Sequence, residues 1–314
     1  MKKPIILIGV GFMGTEYAKV LKEIKIPVLA FGRGKKSAST FKEATGIEVI
    51  TESVSKENIK NASSAIIATN IESLGEISKK VIDLGIKNIL IEKPGGVDSK
   101  DISKTYNYIK KHRVNAYVAY NRRWFSSTQE AEKIIKKDGG VSSFTFDFTE
   151  KQNPWGDIPT PSNIKKNWLL ANSSHIIDLA FFLGGYPITM SSKASHKLPW
   201  NHPGIFIGYG QSNKKAFFSY HANWHAPGRW KLEIMTKKNK LILCPIEKLQ
   251  IQKLNSFLVE DVPLSNDLDQ KFKPGLYKQI EDFLSKKPKK LPTFEKHYEN
   301  LKHYYKILNR KFIA

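Results

Sequence analysis

The sequence predicts an α/β doubly wound parallel sheet at its N-terminal end. Beyond it the sequence predicts an α+β domain built on an open, mostly antiparallel sheet. Three observations lead there. Strand and helix patterns alternate over the first 120 residues, three glycines join the first strand to the first helix, and from Ile188 to Val262 strand-like segments follow one another with turns between them. Alternation of strand and helix gives a parallel sheet covered on both faces, and adjacent strands give a meander.

In the first part, strand patterns fall at 4–9, 27–31, 47–50, 64–68, 87–91 and 114–119, and helix patterns at 13–24, 37–45, 55–60, 73–84 and 99–112. The pattern changes near Tyr120. A linker and helix cover 122–138, Val141 to Phe148 alternates as a strand, and 152–167 reads as a loop rich in Pro, Asn and Gly. Ser174 to Leu183 is an apolar helix stopped by Gly184-Gly185. Turns at Asn201-His202-Pro203-Gly204, Ser212-Asn213 and Lys237-Lys238-Asn239 divide the meander, and helices at about 274–286 and 294–309 close the chain. The predicted division is a dinucleotide-binding domain at 1–120 and a substrate-binding and oligomerisation domain at 121–314, with the closing helices free to pack back on the first.

The chain has 314 residues, enough for about two domains of ~150 each. A single cysteine, Cys244, rules out an internal disulfide, which fits a reducing compartment. The first apolar run, Ile5 to Val10, is shorter than the ~7–15 residues of a signal-peptide core, and no run approaches the ~18 of a membrane span. A cytoplasmic protein without membrane contact is expected. The 51 basic and 29 acidic residues give a net charge of +22. The lysines are spread along the chain, with no basic arm or nucleic-acid motif, so a solvated surface is favoured over nucleic-acid binding. The charge would still attract phosphorylated or carboxylated small molecules.

The strand Ile5-Ile6-Leu7-Ile8 runs into Gly9, Gly11 and Gly14, with Phe12 and Met13 before the last, at G-x-G-x-x-G spacing. One glycine makes the tight turn, one lets backbone N–H groups approach a pyrophosphate, and one lets the helix pack close to the strand. The helix N-terminus then faces the phosphates with its unpaired N–H groups. This is the pattern of a Rossmann dinucleotide site. NAD sites usually carry an acid about 20 residues after the glycines for the ribose 2′-OH. Here the second strand ends in Gly32-Arg33-Gly34-Lys35-Lys36-Ser37, without a carboxylate. Arg33 can pair with a 2′-phosphate, and Lys35 and Ser37 can add donors. NADP is the expected cofactor, with NAD as the alternative; an ordinary exposed basic turn is the structural reading of the same residues. Thr69 and Asn70, at the tip of the fourth strand, fall near the cofactor crevice.

The strand Asn88–Ile91 ends in Glu92-Lys93-Pro94-Gly95-Gly96, which puts a lysine at the carboxyl end of a buried parallel strand. With the glycine motif, Tyr120-Asn121-Arg122-Arg123-Trp124, Ser174-His175-Ile176-Ile177-Asp178 and Gly228-Arg229-Trp230-Lys231-Leu232-Glu233, the chain resembles the Gfo/Idh/MocA oxidoreductases, named for glucose–fructose oxidoreductase and inositol dehydrogenase. The resemblance covers essentially the whole chain. It implies hydride transfer between C4 of a nicotinamide and a carbinol carbon of a sugar, cyclitol or sugar derivative. Glu92, Lys93 and Pro94 would lie at the cofactor. Lys93 would hydrogen-bond the reacting oxygen, and His175 would act as the acid/base group, its ordinary pKa of about 6.5 suiting proton transfer near neutrality.

The family usually carries an aspartate four residues before this histidine, where this chain has Ala171. A non-catalytic NADP(H)-binding regulatory protein is therefore the alternative reading. Asn172 can contact substrate but cannot take a proton as a carboxylate would. Asp178 either contacts substrate or pairs locally, and Arg122, Arg123 and Trp124 either line the substrate site or serve interdomain packing. On a strand His221 and His225 share a face and can hydrogen-bond hydroxyls, with Trp224 opposite and Arg229 following. Two histidines without further ligands do not make a zinc site. Trp155 and Trp168 either wall the pocket or pack in the core. The substrate is expected to be a polyhydroxylated small molecule, anionic ones included, and a homodimer or homotetramer is expected, since an open sheet needs its second face covered.

Overall fold

The computed structural model describes residues 3–59, 61–62, 64–151, 156 and 158–312. They divide into two compact units, Met1–Asn121 with Leu268–Glu299, and Arg122–Asp267 with Asn300–Ile313.

The first unit opens β1 (Ile5–Ile8), α1 (Phe12–Glu23), β2 (Val28–Phe31), α2 (Lys35–Thr45), β3 (Val49–Ile50) and β4 (Ser64–Ile67). It continues α3 (Leu74–Asp83), β5 (Asn88–Glu92), α4 (Ser99–Lys111) and β6 (Asn115–Ala119). All six strands are parallel, in the order β3-β2-β1-β4-β5-β6. Ile5 lies beside Val28 on one side and Ser64 on the other. Every residue of β1 and β4 is buried, as apolar runs with both faces covered must be. The strand order reverses between β1 and β4, which opens a crevice at their carboxyl ends.

One sequence expectation fails here. No helix forms over 55–59, and residue 60 lies outside the described residues. The cause is local: Asn58 accepts from the Ser55 backbone N–H (2.8 Å) and donates to the Ser53 carbonyl (3.1 Å). Such side-chain bonds compete with helical ones.

The second unit begins with α5 (Ser126–Lys137), β7 (Ser143–Asp147), α6 (Ser162–Lys166), a π-helical turn (Leu169–Ser173) and α7 (Ser174–Gly184). Seven strands follow: β8 (Pro187–Ser195), β9 (Ile205–Ser212), β10 (Phe217–Asn223), β11 (Lys231–Met235), β12 (Asn239–Leu243), β13 (Gln250–Lys253) and β14 (Val259–Asp261). The eight-stranded sheet runs β14-β13-β12-β11-β7-β10-β9-β8. Its pairs are antiparallel except β7 with β10, so the sheet is mostly antiparallel.

Alternation along β10 buries Phe218, Tyr220 and Ala222 and exposes Phe217, Ser219 and His221. The buried face joins Phe144, Phe146, Phe148, Phe181 and Phe206 in one aromatic core, with ring centroids 5.2–6.5 Å apart. The outer face carries exposed Ile188, Ile207, Tyr209 and Phe217.

The short helices α6 and α8 (Asp267–Lys271) were not foreseen, and α6 lies inside the segment read as a loop. Trp155 lies outside the described residues. The last helices are α9 (Leu276–Leu284), which packs on α1, and α10 (Phe294–Ile307). Among the described residues no helix is long and apolar enough to cross a membrane.

Candidate active site

In the first unit a cleft of about 740 Å³ opens at the strand-order reversal. Gly9, Gly11, Gly32, Arg33, Ser37, Thr69 and Asn70 line it. Gly9 adopts φ +103°, and a Cβ there would strike the Ala68 carbonyl. A Cβ on Gly14 would strike the Gly9 carbonyl, so the start of α1 lies against the β1 turn. Gly11 differs from both: its φ is −79°, and a Cβ there would meet no protein atom within 4 Å. That space lies at the N-terminus of α1, where no side chain caps the helix. Uncapped N–H groups beside open room are what a pyrophosphate requires.

Gly11→Ala should therefore leave the melting temperature unchanged. It should weaken dinucleotide binding about tenfold or more, about 1.4 kcal/mol, as read by fluorescence titration. Unchanged affinity would remove the phosphates from this position.

At the end of β5, Lys93 is half-buried and its neighbours are anchored from behind. Tyr17 donates its hydroxyl to Glu92 Oε1 (2.6 Å), and Gly95 N–H bonds the Glu92 carbonyl (3.0 Å). His297 Nε2 donates to the Pro94 carbonyl (2.8 Å), with the Tyr120 hydroxyl 3.5 Å from its Nδ1. Burial, reinforced by the Glu92 charge, holds the Tyr17 phenol well above its usual pKa, so it stays a donor.

In the second unit His175 opens α7 and is 5% exposed. Its Nε2 lies 2.7 Å from Arg122 Nη1. A guanidinium only donates, so Nε2 accepts and the imidazole is neutral with its proton on Nδ1. The Trp230 ring lies beside both groups, with centroids 6.3 Å from the His175 ring and 5.6 Å from the Arg122 guanidinium. Arg122 and Trp230 also line a cavity of about 320 Å³ together with Glu150, Lys151 and Arg229.

The Glu150 carboxylate is 6% exposed. It accepts from Asn172 Nδ2 on both oxygens (2.9 and 3.1 Å) and from Ser173 Oγ (2.8 Å). Burial pushes its pKa up, and hydrogen bonds from Ser173, Asn172 and Trp230 restrain the rise.

The family model described as oxidoreductase family, NAD-binding Rossmann fold matches residues 3–120. That model is the Gfo/Idh/MocA one, and the likeness to the family rests on this stretch of the first unit. Among solved structures, a levoglucosan dehydrogenase in complex with NADH and L-sorbose is similar at 18% identity and TM-score 0.76, over 98% of this chain and 96% of that one. The UDP-N-acetylglucosamine 3-dehydrogenase of Acidithiobacillus ferrooxidans is similar at 14% and 0.76, over 99% and 98%. An oxidoreductase from Agrobacterium radiobacter, in complex with NAD+, L-tartaric acid and magnesium, is similar at 13% and 0.76, over 97% and 94%. At such identities the likeness is one of fold. No curated protein matches the sequence.

Several of the expected site residues are engaged within the fold. Arg123 and Asp178 are spent on one another: Nε to Oδ2 is 2.8 Å and Nη2 to Oδ1 is 2.5 Å, with both side chains about 5% exposed or less. Arg123 also donates to the Tyr186 hydroxyl (2.9 Å). Burial works against the Arg123 charge, and the Asp178 carboxylate outweighs it, so the guanidinium is held protonated. This buried bidentate pair leaves neither group for substrate.

Trp124 is core, 4% exposed. Glu92 turns its carboxylate to the Tyr17 hydroxyl. Lys35 is exposed, Phe12 and Met13 are not among the residues lining the cleft at the strand-order reversal, and Phe12 borders a neighbouring groove. His225 is not on a strand, because β10 ends at Asn223, and it packs on His196 instead (ring centroids 5.3 Å). Asn172 is committed to Glu150. Arg229 lines the cavity, as does Arg122.

Glu150 is the residue that sequence reasoning missed. It is a lone acid past the end of β7, and only the fold brings it to the residues just before His175.

Proposed function

We propose that this chain transfers a hydride between a nicotinamide dinucleotide, NADP(H) in preference to NAD(H), and a carbinol carbon of a sugar, cyclitol or sugar derivative. Lys93 carries the reading: it follows the last buried residue of β5, in a unit whose residues 3–120 match an NAD-binding oxidoreductase family. The bound dinucleotide would supply a carbon that accepts or gives hydride. Lys93 hydrogen-bonds the reacting oxygen and stabilises the negative charge that develops there. His175 takes or returns the hydroxyl proton. Arg122 occupies Nε2, the one basic nitrogen of the neutral ring, so the ring takes the proton there only when that bond is released. The substrate class draws support from two similar folds, named for levoglucosan and for UDP-N-acetylglucosamine. The net charge of +22 favours an anionic derivative.

Assay of NADP+ and NAD+ reduction against a panel of sugars, cyclitols and their acids tests the proposal; dinucleotide binding without turnover of any member would favour the regulatory alternative. The coenzyme preference rests on Arg33, which lines the cleft where the second strand ends without an acid. NADPH should bind more tightly than NADH. Arg33→Ala should weaken NADPH about tenfold or more while leaving NADH within about twofold, the loss expected of a charge-assisted bidentate contact. Equal affinities in the unaltered protein would refute the preference. For assembly we propose a homodimer or homotetramer pairing through the exposed outer face of the second sheet, and a monomeric mass by sedimentation would refute it.

A further inference from the structure

One loop of the second unit presents large apolar side chains to water beside a group of lysines. Between β13 and β14, Leu254, Phe257 and Leu258 are 68%, 100% and 65% exposed, and Val259 follows at 41%. Single exposed apolar residues are ordinary, but a contiguous group of large ones marks a contact surface. The backbone of the loop is held. Gln252 Nε2 donates to the Ser256 carbonyl (2.9 Å), Ser256 N–H bonds the Lys253 carbonyl (3.1 Å) and Leu258 N–H bonds Ser256 Oγ (3.1 Å). An ordered loop therefore carries the Phe257 ring into solvent.

The lysines come largely from the neighbouring turn between β11 and β12. Leu254 N–H bonds the Lys238 carbonyl (2.8 Å), which ties the two turns together. The buried Asp138 fixes the lysine turn by accepting from Thr236 Oγ1 and Asn239 Nδ2 (both 2.7 Å). Lys237, Lys238, Lys240 and Lys253 border a recess of about 270 Å³ together with Leu254. Lys240 pairs with Glu233 (2.9 Å), and Lys253 pairs with Glu260 (3.1 Å). Lys237 and Lys238 are exposed and form no ion pair among the described residues.

We propose that this corner of the second unit docks on the surface of an anionic lipid bilayer, with Phe257 and Leu258 entering the acyl boundary and Lys237 and Lys238 meeting lipid phosphates. Apolar side chains gain by leaving water, and ammonium groups on long stems stay at headgroup depth while they do so. The negative potential of such a surface attracts the same lysines. A second copy of this chain fits the patch poorly. A symmetric contact sets each patch against itself, so lysines would face lysines. Strand pairing is blunted as well, because the edge strand β14 carries Glu260 and Asp261, both exposed. The loop is also distinct from the exposed outer face of the sheet. Phe217 of that face is on β10, five strands from β14, about 24 Å at the usual strand spacing. The sequence expectation of no membrane contact rested on the lack of a long apolar run, and a surface contact needs none.

Flotation of the full chain with vesicles tests this without any need for turnover. The probes are phosphatidylcholine vesicles with and without about 30 mol% phosphatidylserine. The anionic vesicles should carry the protein at least about tenfold better than the neutral ones. Phe257→Ser with Leu258→Ser should cut that binding about tenfold or more, and so should Lys237→Gln with Lys238→Gln. These side chains are exposed, so melting temperature and NADPH affinity should not move. Lys286→Gln with Lys287→Gln removes the same charge from an exposed run in the first unit and should leave binding within about twofold. Equal binding to both vesicles, or binding that survives the serine pair, would overturn the proposal. So would an equal loss in the Lys286 and Lys287 variant, which would assign the attraction to the dispersed charge of the whole chain. Self-association lost in the serine pair, with no vesicle binding by the unaltered protein, would overturn it in favour of a contact between copies.

Discussion

Lys93→Ala should lower turnover by about 10²–10³-fold or more while leaving dinucleotide affinity and melting temperature unchanged. The size follows from what the residue is asked to do. Removing one donor to a developing oxyanion costs about that much in other enzymes, and here the donor carries a full charge. The expected sparing of the fold follows from the anchors around it. Glu92 is held by Tyr17, Pro94 by His297, and the Gly95 N–H by the Glu92 carbonyl, none of which involves the Lys93 ammonium. Lys93→Arg should fail to rescue, because a planar guanidinium fork cannot take the place of a compact ammonium on a single oxygen. Steady-state kinetics with calorimetric unfolding on the same samples decides it. Turnover within about twofold of the unaltered protein would remove Lys93 from the chemistry.

Asp178→Ala should be the most destabilising single change in the second unit. It leaves the Arg123 guanidinium buried without its bidentate partner, and breaking such a pair costs about 3–5 kcal/mol. Thermal unfolding followed by circular dichroism should show a drop of about 10 °C, at about 2–4 °C per kcal/mol for a domain of this size. Replacing both partners, Arg123→Met with Asp178→Leu, should recover most of the loss, because the cost lies in the stranded charge. A drop of less than about 2 °C for Asp178→Ala would show that the pair is not buried as described. This outcome also separates Asp178 from His175 one turn earlier on α7: the first would be felt in stability, the second in turnover.

The strands of the first unit could be read ahead of the structure because apolar runs between glycines have one physical solution, burial on both faces. The crevice at their carboxyl ends was legible with them, whereas the strand order came from the structure. The failed helix near Asn58 shows the limit, since a side chain that bonds its own backbone is invisible to periodicity. His225 was misplaced because alternation was carried past the point where β10 turns. Arg123 and Asp178 could not be told from ligand-binding residues, since their pairing depends on a contact across 55 positions of sequence. Glu150 had no signature at all. Its neighbours Asn172 and Ser173 are 22 and 23 residues away, and only the packing of the π-helical turn against the end of β7 makes one cluster of them.

The most direct test follows a deuterium atom. A sugar or cyclitol turned over by the protein, deuterated at the reacting carbinol carbon, should deliver its label to C4 of the reduced nicotinamide, as seen by NMR of the isolated coenzyme, and Lys93→Ala should abolish that transfer. Label that stays on the sugar, or is lost to water while the coenzyme is unlabelled, would contradict direct hydride transfer and with it the function proposed for this chain.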